Sequence, residues 1–272
     1  MRAVSALHAE LIERSFSQQV PAFSSGGTNG WANNEFDWIF DRLELRPDDV
    51  LLDVATGTGA AGRQLAASVA KVVGVDSTGA MLAAGRREAE TAGLENVEFV
   101  QADAASLPFE DASFDVVVCR FSIHHFQEPA LQMKEMIRCL RPGGRLVFAD
   151  MVADPDPTIA SIQNHIEWLR DPSHTRMLTA EQIVGWLDIA GMKDLSVELR
   201  KRRRRLDAWL DQTESNESVG DAVKALLRRE LDGGQSTGFE PRSAPGGLSF
   251  VQTLASVVAS KPRWTPVRSV RQ

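Results

Sequence analysis

The stretch Leu51-Leu52-Asp53-Val54-Ala55-Thr56-Gly57-Thr58-Gly59 decides the fold of this chain. It reads as an apolar strand that carries an acid shortly before a glycine-rich turn, and residues 60–70 continue with a helical pattern. An acid inside a strand that is buried on both faces needs a cationic or hydrogen-bonding partner to offset its desolvation. Gly57 and Gly59 let a ligand approach the main chain closely. Strand, turn and helix therefore predict a ligand site at the end of the first strand.

The glycines alone leave two classes of ligand open. Gly57, Gly59 and Gly62 satisfy the G-x-G-x-x-G pattern of dinucleotide-binding enzymes. In such an enzyme the pyrophosphate rests on the helix N-terminus and the strand acid is not needed. An acid four residues before the first glycine instead suits a ligand with an ammonium group, and S-adenosylmethionine (SAM) has one.

Two more acids follow predicted strands further along the chain. Asp76 ends an apolar strand that begins at Val72, and Asp103 follows a third strand over residues 97–101. Each acid has a purely structural interpretation: Asp53 as a buried carboxylate, Asp76 as a helix N-cap and Asp103 as a turn residue. Ligands of open α/β sheets bind at the carboxyl ends of the strands, so three acids in succession there favour a single site.

In this order the stretches resemble the class I SAM-dependent methyltransferases, whose first motif is an acid, three residues and Gly-x-Gly. The resemblance continues through 107–109, 113–115, a fourth strand over 116–119 and the Leu140-Arg141-Pro142-Gly143-Gly144 turn before a fifth strand over 145–151. It is strong over residues 35–152 and weak elsewhere. It implies an α/β fold with a doubly wound, mostly parallel seven-stranded Rossmann-like sheet, an antiparallel terminal strand pair and helical lids.

The same resemblance implies the cofactor and the residues that hold it. The cofactor is SAM, and the product is S-adenosylhomocysteine (SAH). Asp53 would face the ammonium group, Asp76 the ribose hydroxyls, and Asp103 with a neighbouring backbone amide the adenine. The full set of implied cofactor residues is Asp53, Ala55, Gly57, Gly59, Asp76, Ser77, Met81, Asp103, Ala104 and Arg120.

The length of 272 residues and the hydrophobic content of 43% suit one large domain. We divide it into an N-terminal lid over 1–34, a cofactor-binding core over 35–152, a lid insertion over 153–178, a C-terminal part of the core over 179–261 with a helical insertion at 206–247, and a tail over 262–272. Further predicted helices cover 79–93, 129–140, 179–190 and 219–231, further strands cover 195–200 and 249–260, and residues 233–247 are predicted to form a loop. Thr179 and Gln182 form a capping box that opens the third of these helices.

Composition narrows the choice of partners. The formal net charge of −7 disfavours a protein that binds nucleic acid through many phosphates. Lys201–Arg205 is a run of five cations that suits a nucleic-acid patch, yet on a strand these side chains would alternate between two faces, which favours a solvated strand end. No apolar run approaches a membrane span and no signal peptide is apparent, so we expect a cytoplasmic protein. We expect reduced cysteines, no metal, a small-molecule substrate and, as the assembly to test, a homodimer.

Methyl transfer proceeds by in-line displacement, so the protein must position the acceptor and exclude water. A hydroxyl acceptor also gains from a general base, for which histidine is the usual choice. His124 follows the fourth strand and Asp150 ends the fifth, so they could form a dyad of the kind found in catalytic triads. Some methyltransferases of antibiotic and sugar tailoring carry such a dyad, and the resemblance implies these two as catalytic residues. Transfer to oxygen is slightly favoured over carbon or nitrogen, although quinone C-methyltransferases share much of the core pattern.

The acceptor is assigned to residues of the lids and of the turn after the fourth strand. They are Phe16, Trp31, His125, His165, His174 and Arg176. Core packing, a turn-capping imidazole or the solvated surface of a helix would explain each of them equally well. Two other functions stay open: a nicotinamide-dependent oxidoreductase, and a protein that keeps the fold but catalyses no methyl transfer.

Overall fold

The computed structural model describes residues 2–24, 34–213 and 216–263. Its strands are β1 Val50–Val54, β2 Lys71–Asp76, β3 Val97–Gln101, β4 Phe114–Arg120, β5 Leu140–Met151, β6 Lys193–Arg205, β7 Arg242–Ala244 and β8 Gly247–Ser260. They form one sheet in the order β3-β2-β1-β4-β5-β8-β6, and β7 pairs with β8 outside this order.

The sheet has the predicted mixture of parallel and antiparallel strands. β1 to β5 are mutually parallel, while β8 runs antiparallel to both β5 and β6. The prediction of a mostly parallel, Rossmann-like sheet with an antiparallel terminal pair is therefore confirmed. The prediction of a loop over 233–247 is wrong at its end, because β7 forms a tight hairpin with β8 in which Ala244 pairs with Gly247.

The helices alternate with the strands as a doubly wound fold requires. They are α1 Arg2–Phe23, α2 Ala60–Leu65, α3 Gly79–Thr91, α4 Pro129–Cys139, α5 Pro157–Arg170, α6 Ala180–Ile189, α7 Leu206–Leu210 and α8 Glu217–Leu231. The helix predicted over 60–70 is shorter, because a 3-10 turn over Ala66–Ser68 follows α2. Among the described residues no helix is long and apolar enough to cross a membrane.

Two hydrophobic cores lie on opposite faces of the sheet. One core joins Leu52 and Phe148 to α4 and α6, and the other joins Leu51 and Val147 to α2 and to the 3-10 turn over Asn34–Ile39. The alternation follows from the two-residue side-chain period of a strand. With both faces covered, the carboxyl ends of β1, β2, β4 and β5 are left to form a site.

A third core lies beyond the edge of the sheet. It brings Ile166 of α5 against Leu206, Trp209 and Leu227 of the helical insertion, with Phe250 of β8 beneath them. The lid insertion and the helical insertion are therefore one packed layer. Segments far apart in the sequence meet there, next to the ends of β4 and β5.

Candidate active site

A cavity of about 390 Å³ opens at the carboxyl ends of β1, β2 and β4. Nine of the ten residues implied as cofactor contacts line it: Asp53, Ala55, Gly57, Asp76, Ser77, Met81, Asp103, Ala104 and Arg120. Gly59 does not. Its φ of 79° opens α2 in the left-handed region, and an added Cβ would lie 2.6 Å from the ring of Phe99. Gly59 is therefore required by turn geometry and packing and is separated from the wall of the cavity.

Asp76 fixes the backbone turn after β1, which lines the cavity. The Gly57 N–H donates to Oδ2 of Asp76 at 2.8 Å, and the Thr78 N–H donates to Oδ1 at 2.8 Å. Burial raises the pKa of Asp76, although the hydrogen bonds from Thr78 and Gly57 act against this. An ionised carboxylate has about four acceptor positions, so these two backbone bonds leave positions for a ligand. The turn role and a ligand role are thus compatible.

Asp53 meets its partners within the chain itself. Its Oδ2 accepts a hydrogen bond from the Thr56 hydroxyl at 2.5 Å and from the Gly62 N–H at 3.0 Å. Burial raises the pKa of Asp53, while Thr56 and the charge of Arg120 oppose that rise. Burial also lowers the pKa of Arg120 to about 10, against the effect of Asp53. The cation that a buried acid requires is therefore supplied by the end of β4.

The far wall of the cavity joins the loop after β3 to α4. Oδ1 of Asp103 accepts the Ala105 N–H at 2.8 Å and shapes this loop. Oε2 of Glu135 accepts the Leu107 N–H at 3.1 Å, and Arg138 donates to the Leu107 carbonyl at 3.0 Å. These bonds fix the position of α4 against the loop that carries Asp103.

His124 and Asp150 form the predicted pair. Nδ1–H of His124 donates to Oδ1 of Asp150 at 2.6 Å, and the His124 backbone N–H donates to Oδ2 at 3.2 Å. Burial lowers the pKa of His124, but the charge and hydrogen bond of Asp150, helped by Glu167 and Asp171, outweigh it and leave the pKa raised. Because a carboxylate only accepts, Nδ1 carries the proton, and Nε2 of the neutral ring is the basic nitrogen.

His124 lines a second, smaller cavity of about 80 Å³, which we call the inner chamber. It is not among the residues that line the large cavity. Phe16, Phe23, Phe121 and His125 line both spaces, so the two are adjacent across this mainly aromatic boundary. The sequence predicts His124 at the edge of the sheet where the cofactor binds. The structure instead places it in the inner chamber, which adjoins the large cavity.

Two more imidazoles lie beside His124. Nδ1–H of His125 donates to the Ser173 carbonyl at 3.1 Å, and Nε2–H of His174 donates to Oδ1 of Asn164 at 2.9 Å. Burial, followed by the charge of His124, lowers the pKa of His125 to about 4 and that of His174 to about 2. Nδ1 of His174 is buried and has no hydrogen-bond partner among the described residues. Both rings are therefore neutral acceptors at neutral pH.

Comparison with known proteins agrees with this geometry. The family model described as a methyltransferase domain matches residues 52–148. The Escherichia coli protein YafE is 32% identical over 162 residues, which cover 58% of this chain and 77% of YafE. The crystal structure of YcgJ from Bacillus subtilis superposes with a TM-score of 0.77 and 25% identity, covering 84% of this chain and 98% of YcgJ. The chain belongs to the class I SAM-dependent methyltransferase family.

Several curated relatives carry the word methyltransferase in their names, and two of them illustrate the extent of the similarity. YcgJ, an uncharacterized methyltransferase, is 38% identical over 133 residues, which cover 49% of this chain and 53% of the relative. The demethylmenaquinone methyltransferase of Clavibacter sepedonicus is 45% identical over 109 residues, covering 40% of this chain and 44% of the relative. The matched segments thus span about half the length of these two relatives.

The structure brings some of the expected acceptor residues to this methyltransferase site and keeps others away. Phe16 and His125 line both cavities, and His174 lines the inner chamber. His165 is exposed and stacks on Trp168, because α5 turns Ile166 and Glu167 inward. Arg176 is also exposed and lines neither cavity. Trp31 lies outside the described residues.

The cationic run on β6 has two different faces. Lys201, Arg203 and Arg205 are exposed, and Lys201 pairs with Glu240 at 2.5 Å. Arg202 and Arg204 are half-buried and line the inner chamber. The predicted alternation is confirmed, but only the outward half is a solvated strand end.

The sequence reasoning missed Gln132 of α4. Its side chain lines the large cavity, is only 7% exposed, and carries a buried Oε1 without a hydrogen-bond partner among the described residues. One signal was available. Met133 and Met136 mark the buried side of α4, and a polar residue next to them is unusual unless it has a partner.

Proposed function

We propose that this protein transfers the methyl group of SAM to a small molecule that carries a hydroxyl group, with transfer to oxygen slightly favoured. The observation that carries this proposal is the His124–Asp150 pair at 2.6 Å, in which His124 lines the inner chamber beside the large cavity. We keep the cytoplasm as the expected compartment and a homodimer as the assembly to test.

The residues present fit SAM as the cofactor. Asp76 would hold the ribose with its remaining acceptor positions, and Asp103 with the Ala104 backbone would hold the adenine. The backbone turn at Gly57 and the end of β4 at Arg120 would surround the amino-acid part. SAM, when bound, supplies an electrophilic methyl group on its sulfonium sulfur.

The dyad supplies the proton transfer in this proposal. Nε2 of His124 accepts the proton of the acceptor hydroxyl, and the Asp150 carboxylate stabilises the resulting imidazolium. The carboxylate also keeps the ring in the tautomer that leaves Nε2 unprotonated before the reaction. Phe16, Phe23 and Phe121 line both cavities and would exclude water from the reacting hydroxyl.

Transfer to carbon is the second candidate, and one observation favours it. His124 belongs to the inner chamber and not to the wall of the large cavity. A base in that position could remove a ring hydroxyl proton while a different atom of the same ring takes the methyl group. The Clavibacter sepedonicus relative, named a demethylmenaquinone methyltransferase, is consistent with a hydroxylated ring as acceptor.

The test compares three variants on an acceptor identified by screening hydroxylated ring compounds with SAM. His124→Ala should depress turnover by roughly 10²- to 10⁴-fold, the usual contribution of a general base, with SAH affinity almost unchanged. His124→Ala/Asp150→Asn should cost hardly more than His124→Ala alone, since residues that act as a unit are not additive. His165→Ala, on the outer face of α5, is the matched control and should retain full turnover.

The pH profile and the product provide independent readouts. A base whose pKa is raised loses activity as pH falls through that value, so the acid limb should lie above the ordinary histidine pKa of about 6.5. Asp150→Asn removes the carboxylate charge and should move this limb to lower pH. NMR of the product distinguishes a methoxy group from a C-methyl group. Near-wild-type turnover in His124→Ala would reject the base and leave positioning as the mechanism.

A further inference from the structure

Gln132 lines the large cavity and carries a hydrogen-bond acceptor that no described residue satisfies. Its side chain is 7% exposed, and Oε1 has no hydrogen-bond partner among the described residues. Buried polar atoms are paired in the great majority of cases, because leaving one unpaired costs its desolvation free energy. The side chain also lines the cavity, so a bound molecule can provide the missing donor.

The position of Gln132 identifies the part of the ligand that it meets. Glu128, the N-cap of α4, and Leu131 and Gln132 in its first turn lie three and four positions apart, and all three line the cavity. The next residue on this side is Glu135, which accepts the Leu107 N–H at 3.1 Å. That bond ties α4 to the loop of Asp103 and Ala104, which hold the adenine in the proposed function. Gln132 therefore lies at the adenine end of the cavity.

We infer that Gln132 recognises the N6/N7 edge of the cofactor's adenine, an inference that rests on SAM being the cofactor. A primary amide pairs with this edge through two hydrogen bonds: its oxygen accepts from the N6 amino group and its NH₂ donates to N7. The second proton of the N6 amino group and N1 remain for Asp103 and the Ala104 backbone. The adenine would thus be held along two edges, and only the contact to Asp103 and its neighbouring amide is implied by family resemblance.

SAH and two base-modified analogues separate this contact from the others. In 7-deaza-SAH a C–H group replaces N7, and in S-inosylhomocysteine an oxo group replaces the N6 amino group. Isothermal titration of the full-length wild type should show SAH binding more tightly than 7-deaza-SAH by roughly fivefold, the effect of one neutral hydrogen bond. Binding of S-inosylhomocysteine should be weaker still, because its oxo group would face oxygen atoms of both Gln132 and Asp103, so 7-deaza-SAH is the analogue that isolates the contact to Gln132.

Two variants of Gln132 complete the experiment. Gln132→Ala should weaken SAH binding by roughly tenfold and 7-deaza-SAH binding by less, so that the preference for SAH shrinks. Gln132→Glu has nearly the same shape but cannot donate to N7 when ionised, so it should lose or reverse that preference. Thermal unfolding of both variants verifies folding, and Gln64→Ala, an exposed glutamine on α2, is the control that should bind all ligands as the wild type does.

Three results would overturn the inference. Equal affinity of the wild type for SAH and 7-deaza-SAH would exclude a donor at N7. An unchanged preference in folded Gln132→Glu would assign that donor to another residue. Absence of SAH binding by the wild type would overturn the inference together with the proposed function, whereas SAH binding that does not depend on Gln132 would leave the proposed function intact.

Discussion

At the scale of single residues, the site is built from groups that have both a structural and a ligand-binding role. Asp53 holds the Thr56 hydroxyl and the Gly62 N–H, and it faces the cavity with the charge of Arg120 nearby. Gly62, the third glycine of the dinucleotide pattern, is explained by packing, since an added Cβ would lie 2.7 Å from Val72. Close packing against Val72 therefore accounts for the third glycine of this pattern without a nicotinamide cofactor.

Replacement of Asp76 tests the cofactor site at this scale. Asp76→Ala should weaken SAH binding by roughly 1.5 to 3 kcal/mol, because charge-assisted hydrogen bonds to the ribose are lost. Part of this loss will reflect the turn, since Asp76 also accepts the Gly57 N–H. Isothermal titration measures the effect, and Glu98→Ala, an exposed carboxylate on β3, serves as the control. An unchanged dissociation constant in Asp76→Ala would remove this residue from the ribose contact.

At the scale of elements, local signals set the ends of helices. In α6 the Thr179 hydroxyl accepts the Gln182 N–H at 3.2 Å, and Oε1 of Gln182 accepts the Thr179 N–H at 2.9 Å. The capping box predicted from the sequence is therefore confirmed. A cap of this kind satisfies backbone N–H groups that the first turn of a helix leaves without partners.

Removing this cap should affect stability. Thr179→Ala should lower the free energy of unfolding by about 1 kcal/mol, within the usual range of roughly 0.5 to 2 for the loss of an N-cap side chain. Urea denaturation followed by circular dichroism measures the change. Thr91→Ala, at the exposed end of α3, should stay within about 0.5 kcal/mol of the wild type. Equal effects of the two substitutions would show that the box contributes nothing specific.

At the scale of the whole molecule, buried histidines couple stability to pH. The folded chain keeps the pKa of His125 at about 4 and that of His174 at about 2, so His174 stays neutral as the pH falls from 6 to 4 and His125 stays largely neutral until the pH approaches 4. The unfolded chain protonates them below about 6.5 and so binds more protons in this range. Stability contributed by each of these groups is therefore present above pH 6.5 and lost as pH falls. The raised pKa of His124 acts above pH 6.5 and does not offset this loss.

A variant isolates this effect from the titration of carboxylates. Between pH 6 and pH 4 the loss of unfolding free energy should be shallower in His174→Gln than in the wild type, by up to about 1.4 kcal/mol per pH unit. Urea denaturation at several pH values measures both slopes. His165→Gln, which replaces an exposed histidine, should keep the wild-type slope. Parallel curves for His174→Gln and the wild type would contradict the buried, neutral state of His174.

The sequence by itself determined the features that depend on neighbouring residues. The strand–turn–helix around Asp53, the parallel order of the core and the capping box of α6 all follow from side-chain period, glycine placement and cap chemistry within a few positions. The same local rules brought Asp76 and Asp103 to one edge of the sheet, because parallel strands end on the same side.

Only the tertiary structure decided the features that join distant segments. The inner chamber needs α1, the turn after β4, α5 and β6 at once, so no local pattern shows that His124 faces it or that Arg202 and Arg204 point inward. Arg120, the cationic partner of Asp53, lies 67 positions further along the chain. The unsatisfied acceptor of Gln132 is recognised only after α4 is packed against the loop that follows β3. Burial and charge act through space, and the packing of the whole chain is what places these groups together.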